Sequence, residues 1–188
     1  ALLYARDLAE GGNLVQARLG LPESGRLPIL IPLRRLGAYL KAYHAEETGT
    51  EGHNLLLVHL QEMLAGERIL LPPDFFDPYL EAGRAVVLLD GLDEVADPKL
   101  RRRVARLVEA FTAAYPKCRY VVASRVVGYT GAARLGEDYA ITTVRDFSDA
   151  DIAQFLRNWH LAVGIGQMGP GESAVTWAEA QTRQLRAA

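Results

Sequence analysis

The sequence predicts an α/β fold in which a parallel β-sheet is covered by helices on both faces. Apolar runs rich in β-branched residues occur at residues 27–33, 85–90 and 118–124, with a fourth at 139–144. Runs of this length and composition are typical of strands buried on both faces. Segments with helical spacing separate the first three runs, as expected for parallel strands joined by crossover helices.

The composition is that of a globular protein. Hydrophobic residues make up 49% of the 188 residues and charged residues 23%, which supports one domain with a packed core. The formal net charge of -2 gives no basic footprint for nucleic acid. Cys118 is the single cysteine, which excludes a disulfide framework and indicates a reducing, cytoplasmic setting. No apolar run has the length of a membrane span, so we expect no membrane partner.

Helical spacing, caps and glycine stops predict the helices. These cover residues 2–10, 34–44 and 54–66, a short segment entered through Asp74, and a long segment that Asp97 caps and Pro98 begins. Ser148 and Asp151 have the spacing of a capping box at the start of another helix. The remaining segments are predicted to be loops at residues 11–26 and 46–53, a linker at 164–173, and a last helix with little to bury.

Three carboxylates, Asp90, Asp93 and Glu94, lie at the end of the second apolar run, in the stretch VVLLDGLDEV. Asp90 ends the predicted strand, so its side chain should emerge at the carboxyl edge of the sheet, and Gly91 permits a sharp turn there. Carboxylates this close repel one another unless a cation lies near. Mg²⁺ suits them, because it binds one or two carboxylates and keeps several waters. Loop amides would explain the same acids without a ligand, but the full string favours a functional cluster.

The third apolar run ends at Ser124, and Arg125 comes next. In a parallel sheet both residues emerge beside the carboxylates, where the planar donor fork of arginine suits phosphate oxygens. The alternative is an ion pair between Arg125 and Asp93 or Glu94, with no ligand involved. No G-x-S-x-G pattern surrounds Ser124, so a hydrolase nucleophile is not indicated.

The stretch VVLLDGLDEV resembles the Walker B segment of NACHT domains, which are P-loop NTPases of the STAND class related to apoptotic and innate-immune switches. LPILIPLRRL resembles the second strand of that family, CRYVVASRVVGY its sensor 1 segment, and YAITTVRDFSDADIAQFLRNW its last strand and the helix that follows. The resemblance covers most of residues 1–159. It implies a P-loop NTPase fold, with residues 1–147 as the NACHT core and residues 148–188 as the start of a helical domain that is partly linker.

The resemblance also implies roles for the residues at the sheet edge. Asp90 would hold Mg²⁺ through water, Asp93 and Glu94 would serve the hydrolytic water, and Arg125 with Ser124 would contact the nucleotide. The implied cofactors are Mg²⁺ and ATP, with GTP left open. The implied function is a cytoplasmic signalling switch that hydrolyses ATP slowly and controls its own oligomerisation, with flanking sensor and effector domains as partners.

The phosphate loop of such proteins, G-x-x-x-x-G-K-[ST], does not occur in this sequence. Residues 20–27 have the two glycines, but Arg26 and Leu27 replace the lysine and the hydroxyl, and a strand follows where a helix should begin. In the family the loop precedes a helix like residues 2–10, so we expect a fragment that lacks the loop and its strand and binds nucleotide poorly. Without that strand, the third and fourth runs would either leave a vacancy between them or pair directly.

Two other functions stay open at this point. A non-catalytic interaction module would keep the fold and lack nucleotide binding. A Mg²⁺-dependent phosphatase with Asp90 as nucleophile is disfavoured, because Leu92 stands where such enzymes favour a second acid. Cys118 is predicted to lie in the core, and so is Trp159, which has helical spacing with Phe155. The four histidines show no metal-binding spacing.

Overall fold

A computed structural model of the chain describes residues 1–42, 52, 54–131 and 134–187. Contacts divide the chain into two compact units, Ala1–Ala140 and Ile141–Ala188. The loop predicted at residues 46–53 lies outside the described residues, apart from Gly52. No helix in the described ranges is both long enough and apolar enough to cross a membrane.

The centre of the first unit is a parallel sheet, with three strands in the described residues: β1 (Leu27–Pro32), β2 (Ala85–Asp90) and β3 (Arg119–Val122), in that spatial order. β2 is the central strand, with Pro32 of β1 opposite Asp90 and Val122 of β3 opposite Leu89. Residues 85–89 are buried or half-buried, as predicted for a strand covered on both faces. The predicted α/β fold is confirmed.

Six helices surround this sheet in the described part of the unit: α1 (Leu2–Glu10), α2 (Leu14–Leu19), α3 (Leu33–Ala42), α4 (Asn54–Gly66), α5 (Asp77–Glu81) and α6 (Pro98–Ala114). Two short 3₁₀ segments follow strands, the β2 turn (Leu92–Glu94) and the β3 turn (Val126–Gly128). The predicted start of α6 is confirmed, because the Asp97 carboxylate accepts the N–H groups of Lys99 and Leu100 at 2.7 and 3.3 Å. These two donors also lower the pKa of Asp97.

Alternate residues of β2 enter two separate apolar clusters, one on each face of the sheet. Val87 and Leu89 belong to the main core, which also contains buried side chains of α3, α4 and α6. Val86 packs on the other face with Tyr4 of α1 and Val15 of α2. Because successive side chains of a strand alternate between faces, a continuously apolar strand needs helices on both sides, and β2 has them.

Two buried carboxylates, Asp7 and Glu23, link α1 to the segment before β1, and Glu23 accepts from the Tyr4 hydroxyl of α1. Asp7 accepts the backbone N–H groups of Val15 at 3.1 Å and Gly25 at 2.8 Å, and these donors, Gly25 above all, lower the pKa of Asp7. Glu23 is also buried and pairs with Arg119 of β3. The α1 prediction is confirmed, but these polar anchors had no signal in the helical spacing.

The predicted strand at residues 139–144 is wrong, since these residues form no regular secondary structure. Ile141 and Val144 are 59% and 91% exposed. β3 pairs only with β2 among the described residues, so the direct pairing of the third and fourth runs is not found. A β-branched apolar run becomes a strand only where a neighbouring strand offers partners for its backbone groups.

Two other boundaries differ from the prediction. The short helix α5 begins at Asp77 rather than through Asp74, because residues 73–76 form a turn in which Asp74 accepts the N–H of Asp77. The segment 11–26 is not all loop, since α2 lies within it and ends at Gly20, which adopts a left-handed φ of 68°. Six residues with little periodicity give too weak a pattern to predict a helix of this length.

The second unit contains α7 (Asp149–Met168) and α8 (Glu172–Ala187). Its capping box is confirmed, because Ser148 Oγ accepts the N–H of Asp151 and the Asp151 carboxylate accepts the N–H of Ser148. The linker predicted at 164–173 is too long, since α7 continues to Met168 and α8 begins at Glu172, which leaves residues 169–171 between the two helices. A Cβ on Gly164 would lie 3.2 Å from the Ala174 carbonyl oxygen, so the glycine lets α8 pack closely. Trp159 is 58% exposed, and its predicted place in the core is wrong.

Candidate functional site

The carboxyl ends of β2 and β3 lie side by side, and the predicted site residues follow them. Hydrogen bonds continue past the last paired residues of β2 and β3. The N–H of Ala123 donates to the Leu89 carbonyl at 2.8 Å, and the Ala123 carbonyl accepts the N–H groups of Gly91 and Leu92 at 3.1 and 3.0 Å. Gly91 reverses the chain with a φ of 76°, a conformation that favours glycine. These bonds bring the β2 turn and the β3 turn together.

Asp93 and Arg125 form the ion pair at the centre of this edge. The backbone N–H of Arg125 donates to Asp93 Oδ1 at 3.0 Å, and its Nε lies 3.5 Å from Oδ2. The Asp93 side chain is 13% exposed and that of Arg125 is 79% exposed. The carboxylate is therefore enclosed by the protein, whereas the guanidinium reaches solvent and can change partners. This is the ion pair that the sequence left open as an arrangement without a ligand.

The other predicted residues lie near this pair without joining it. Asp90 and Glu94 are exposed, and neither carboxylate makes a hydrogen bond or salt bridge within the described part of the chain. Glu94 folds over the turn, since a Cβ built on Gly91 would lie 3.0 Å from Glu94 Cδ. The Ser124 hydroxyl donates to the carbonyl of Arg125 at 3.2 Å. Of the five predicted residues, Asp90, Glu94 and Arg125 are thus exposed, whereas Ser124 and Asp93 are half-buried.

Two residues that sequence reasoning missed hold the two turns together. Arg101 of α6 donates from its guanidinium to carbonyl groups of both turns, and Gly128 packs directly against Asp93. Arg101 is one of three consecutive arginines, so nothing in its type or spacing distinguishes it from exposed Arg102. The one usable signal is its place one turn after the Asp97 cap, which puts it near the carboxyl end of β2.

The arrangement fits Mg²⁺ bound with few protein ligands. In the ranges that the structure describes, no three His, Cys, Asp or Glu side chains form a group that could hold a metal ion. Mg²⁺ does not need such a cage, because it commonly takes one or two carboxylates and completes its shell with water and phosphate oxygens. Asp90 and Glu94 are exposed oxygen donors at one sheet edge, which suits that mode of binding.

The chain has a parallel sheet covered on both faces, with acidic and basic side chains at the carboxyl ends of adjacent strands. It is therefore an α/β protein of the class that binds ligands at this edge of the sheet. The NACHT domain family matches residues 51–162, which is more than half of the chain and includes β2, β3 and both turns. The chain therefore belongs to the NACHT domain family, a family of nucleotide-dependent signalling P-loop NTPases. No curated protein and no solved structure matches the chain.

Proposed function

We propose that this chain supplies the Mg²⁺-facing side of the nucleotide site in an ATP-dependent signalling switch. The observation that carries the proposal is the Asp93–Arg125 pair at the carboxyl edge of the sheet, where Asp90 and Glu94 are exposed and have no partner among the residues that the structure describes. The family match supports it, because that match includes all of these residues. Acidic side chains alone would be an ordinary solvated surface. The exposed guanidinium of Arg125 adds a positive charge beside them, so the carboxylates can face Mg²⁺ and the guanidinium can face phosphate oxygens.

Each residue has a distinct part in this proposal. Asp90 would hold Mg²⁺ through water, and the bound ion would neutralise charge on the phosphate oxygens. Arg125 would contact the terminal phosphate with its exposed guanidinium, with Ser124 beside it. Glu94, which has no hydrogen-bond partner in the described part of the chain, would orient a water molecule for slow hydrolysis, whereas Asp93 would assist only after Arg125 moves away.

The same proposal includes the consequences of nucleotide binding. Nucleotide state would control self-association of the protein in the cytoplasm, and flanking domains would sense a signal and deliver an output. Residues 1–147 would form the NACHT core, and residues 148–188 would begin the helical domain that follows. Slow hydrolysis would act as a timer, since a switch needs two long-lived states rather than high turnover.

A second candidate, a non-catalytic interaction module, has one observation in its favour. Asp93 already has a cation partner in Arg125, so that acid is neutralised without any ligand. A protein that keeps the NACHT fold only as a binding surface would retain this pair, because it links two turns of the core. The two candidates differ in a single measurable property, the affinity for nucleotide.

Calorimetric titration of Mg·ATP into the complete gene product tests the proposal, with circular dichroism to verify folding. We expect saturable binding that Asp90→Asn weakens by roughly tenfold or more, as for loss of an outer-shell metal contact. The matched control is Glu62→Gln, an exposed acid on α4 that is not one of the candidate-site residues, which should leave the affinity unchanged. A folded protein that takes up neither Mg·ATP nor Mg·GTP would overturn the switch and favour the module.

A further inference from the structure

One guanidinium, that of Arg101, connects the two turns that carry the candidate site. Its Nε donates to the Val95 carbonyl at 2.8 Å and its Nη2 to the Asp93 carbonyl at 3.2 Å. Its Nη1 reaches the Gly128 carbonyl at 3.4 Å. The first two acceptors lie in or directly after the β2 turn, and the third ends the β3 turn, so the side chain bridges segments that follow different strands.

Arginine is the residue type that this arrangement requires. A guanidinium carries five N–H donors in one rigid plane, so three acceptors in different directions can be satisfied at once. A lysine ammonium is a compact point charge on a flexible stem and holds no fixed relation among three carbonyls. The backbone of Arg101 is itself held in place, because the residue lies in the first turn of α6 and its N–H donates to the Asp97 carbonyl at 2.8 Å.

A second contact joins the same two turns independently of Arg101. A Cβ on Gly128 would lie 2.2 Å from the Cβ of Asp93, so the β3 turn packs directly on the side chain of that acid. The Asp93 side chain therefore has Gly128 against it and the N–H of Arg125 on its Oδ1. Because Arg101 also binds the backbone carbonyl of Asp93, both the backbone and the side chain of Asp93 are restrained.

We infer that Arg101 is a positioning residue, which sets the separation of Asp93 from Arg125 without touching the ligand. The inference rests on the proposed function, since it assigns Arg101 to the same nucleotide site. When the three carbonyl contacts are present, the β3 turn stays docked and the Arg125 guanidinium is presented to solvent from a fixed backbone. When they are lost, the two turns keep the Gly128 packing and the Arg125 N–H bond to Asp93 but are held less rigidly, so both the acid and the cation are positioned less precisely.

Backbone amide exchange measured by NMR on Arg101→Lys tests the inference directly. This variant keeps the charge and loses the three-way fork, and Arg102→Lys is the matched control on the next, exposed position of α6. We expect exchange of the Arg125 N–H to quicken roughly tenfold in Arg101→Lys and to stay unchanged in the control. The amides of Val104 and Val108, in the middle of α6, serve as internal references and should be unaffected.

Nucleotide affinity provides the second readout, with the same variants in the complete gene product. Arg101→Lys should weaken Mg·ATP binding, and Arg125→Gln should cost less in that background than in the wild type, because the two residues act as a unit. Unchanged Arg125 exchange, or exchange that quickens equally at Val104 and Val108, would overturn the inference. If the wild type binds no nucleotide, the proposed function fails, and the Arg125 amide alone decides whether Arg101 positions the pair.

Discussion

Gly128 lies so close to Asp93 that a Cβ at position 128 would be 2.2 Å from Asp93 Cβ and 3.3 Å from its Cα. The φ of Gly128 lies outside the left-handed region, so the glycine is required by space and not by backbone conformation. The segments after β2 and β3 therefore pack against each other at this point with no space for a side chain at position 128. Asp90 and Arg125 of the same site are exposed to solvent.

Substitution Gly128→Ala should therefore destabilise the protein by about 1–3 kcal/mol, the usual cost of forcing extra atoms into a packed region. Urea denaturation followed by circular dichroism measures this as a lower midpoint. Gly136→Ala is the matched control, because its added Cβ would meet its nearest neighbour, Glu109 Oε1, at an ordinary 3.6 Å. Equal midpoints for the two variants would show that Gly128 and Asp93 do not pack in this way.

Arg125→Gln should change stability by less than about 1 kcal/mol, although it removes an ion pair. The guanidinium is 79% exposed, and solvent screens such a pair strongly. The backbone N–H of residue 125 can still donate to Asp93 Oδ1, so the turn keeps its main link. The free energy of unfolding from urea curves is the measurement, and a loss above about 2 kcal/mol would show that the ion pair serves the fold rather than a ligand.

The fold was predictable where local chemistry and burial agree. Asp97 and Pro98 start α6 because a carboxylate accepts free N–H groups and a proline needs none, and both effects act within three residues. β2 is apolar throughout because both of its faces are covered. Residues 139–144 have the same type of composition, but strand formation depends on a neighbouring strand that composition does not encode.

The site was predictable only in outline. Parallel strands end at a common edge, so the meeting of Asp93 with Arg125, 32 residues later, follows from topology. The contact of Arg101 with the Gly128 carbonyl, 27 residues away, depends on how two 3₁₀ turns face each other. No periodicity expresses that relation, and for this reason the supporting residues were missed while the charged ones were found.

Trp159→Ala should alter stability by less than about 1 kcal/mol, since a 58% exposed ring buries little apolar area. Phe111→Ala, in the middle of the core of the first unit, should instead cost about 3–5 kcal/mol. Urea curves of the two variants provide the comparison, and iodide quenching in Trp177→Phe, which leaves Trp159 as the one tryptophan, tests its exposure. A Trp159 that is shielded from iodide in this variant would contradict its place on the surface.

The stability of the protein should fall as the pH decreases below about 6.5, and His59 should account for part of the fall. Burial, followed by the nearby charge of Arg35, lowers the pKa of His59 in the folded state, and its Nε2 has no hydrogen-bond partner among the described residues. In the unfolded chain the imidazole takes up a proton near its ordinary pKa of about 6.5. Below that pH the unfolded state binds more protons than the folded state, so acid favours unfolding. Urea midpoints measured from pH 7.5 to 5.5 should decline less steeply in His59→Phe than in the wild type or in His160→Gln. Parallel declines in all three proteins would show that His59 is not the group responsible.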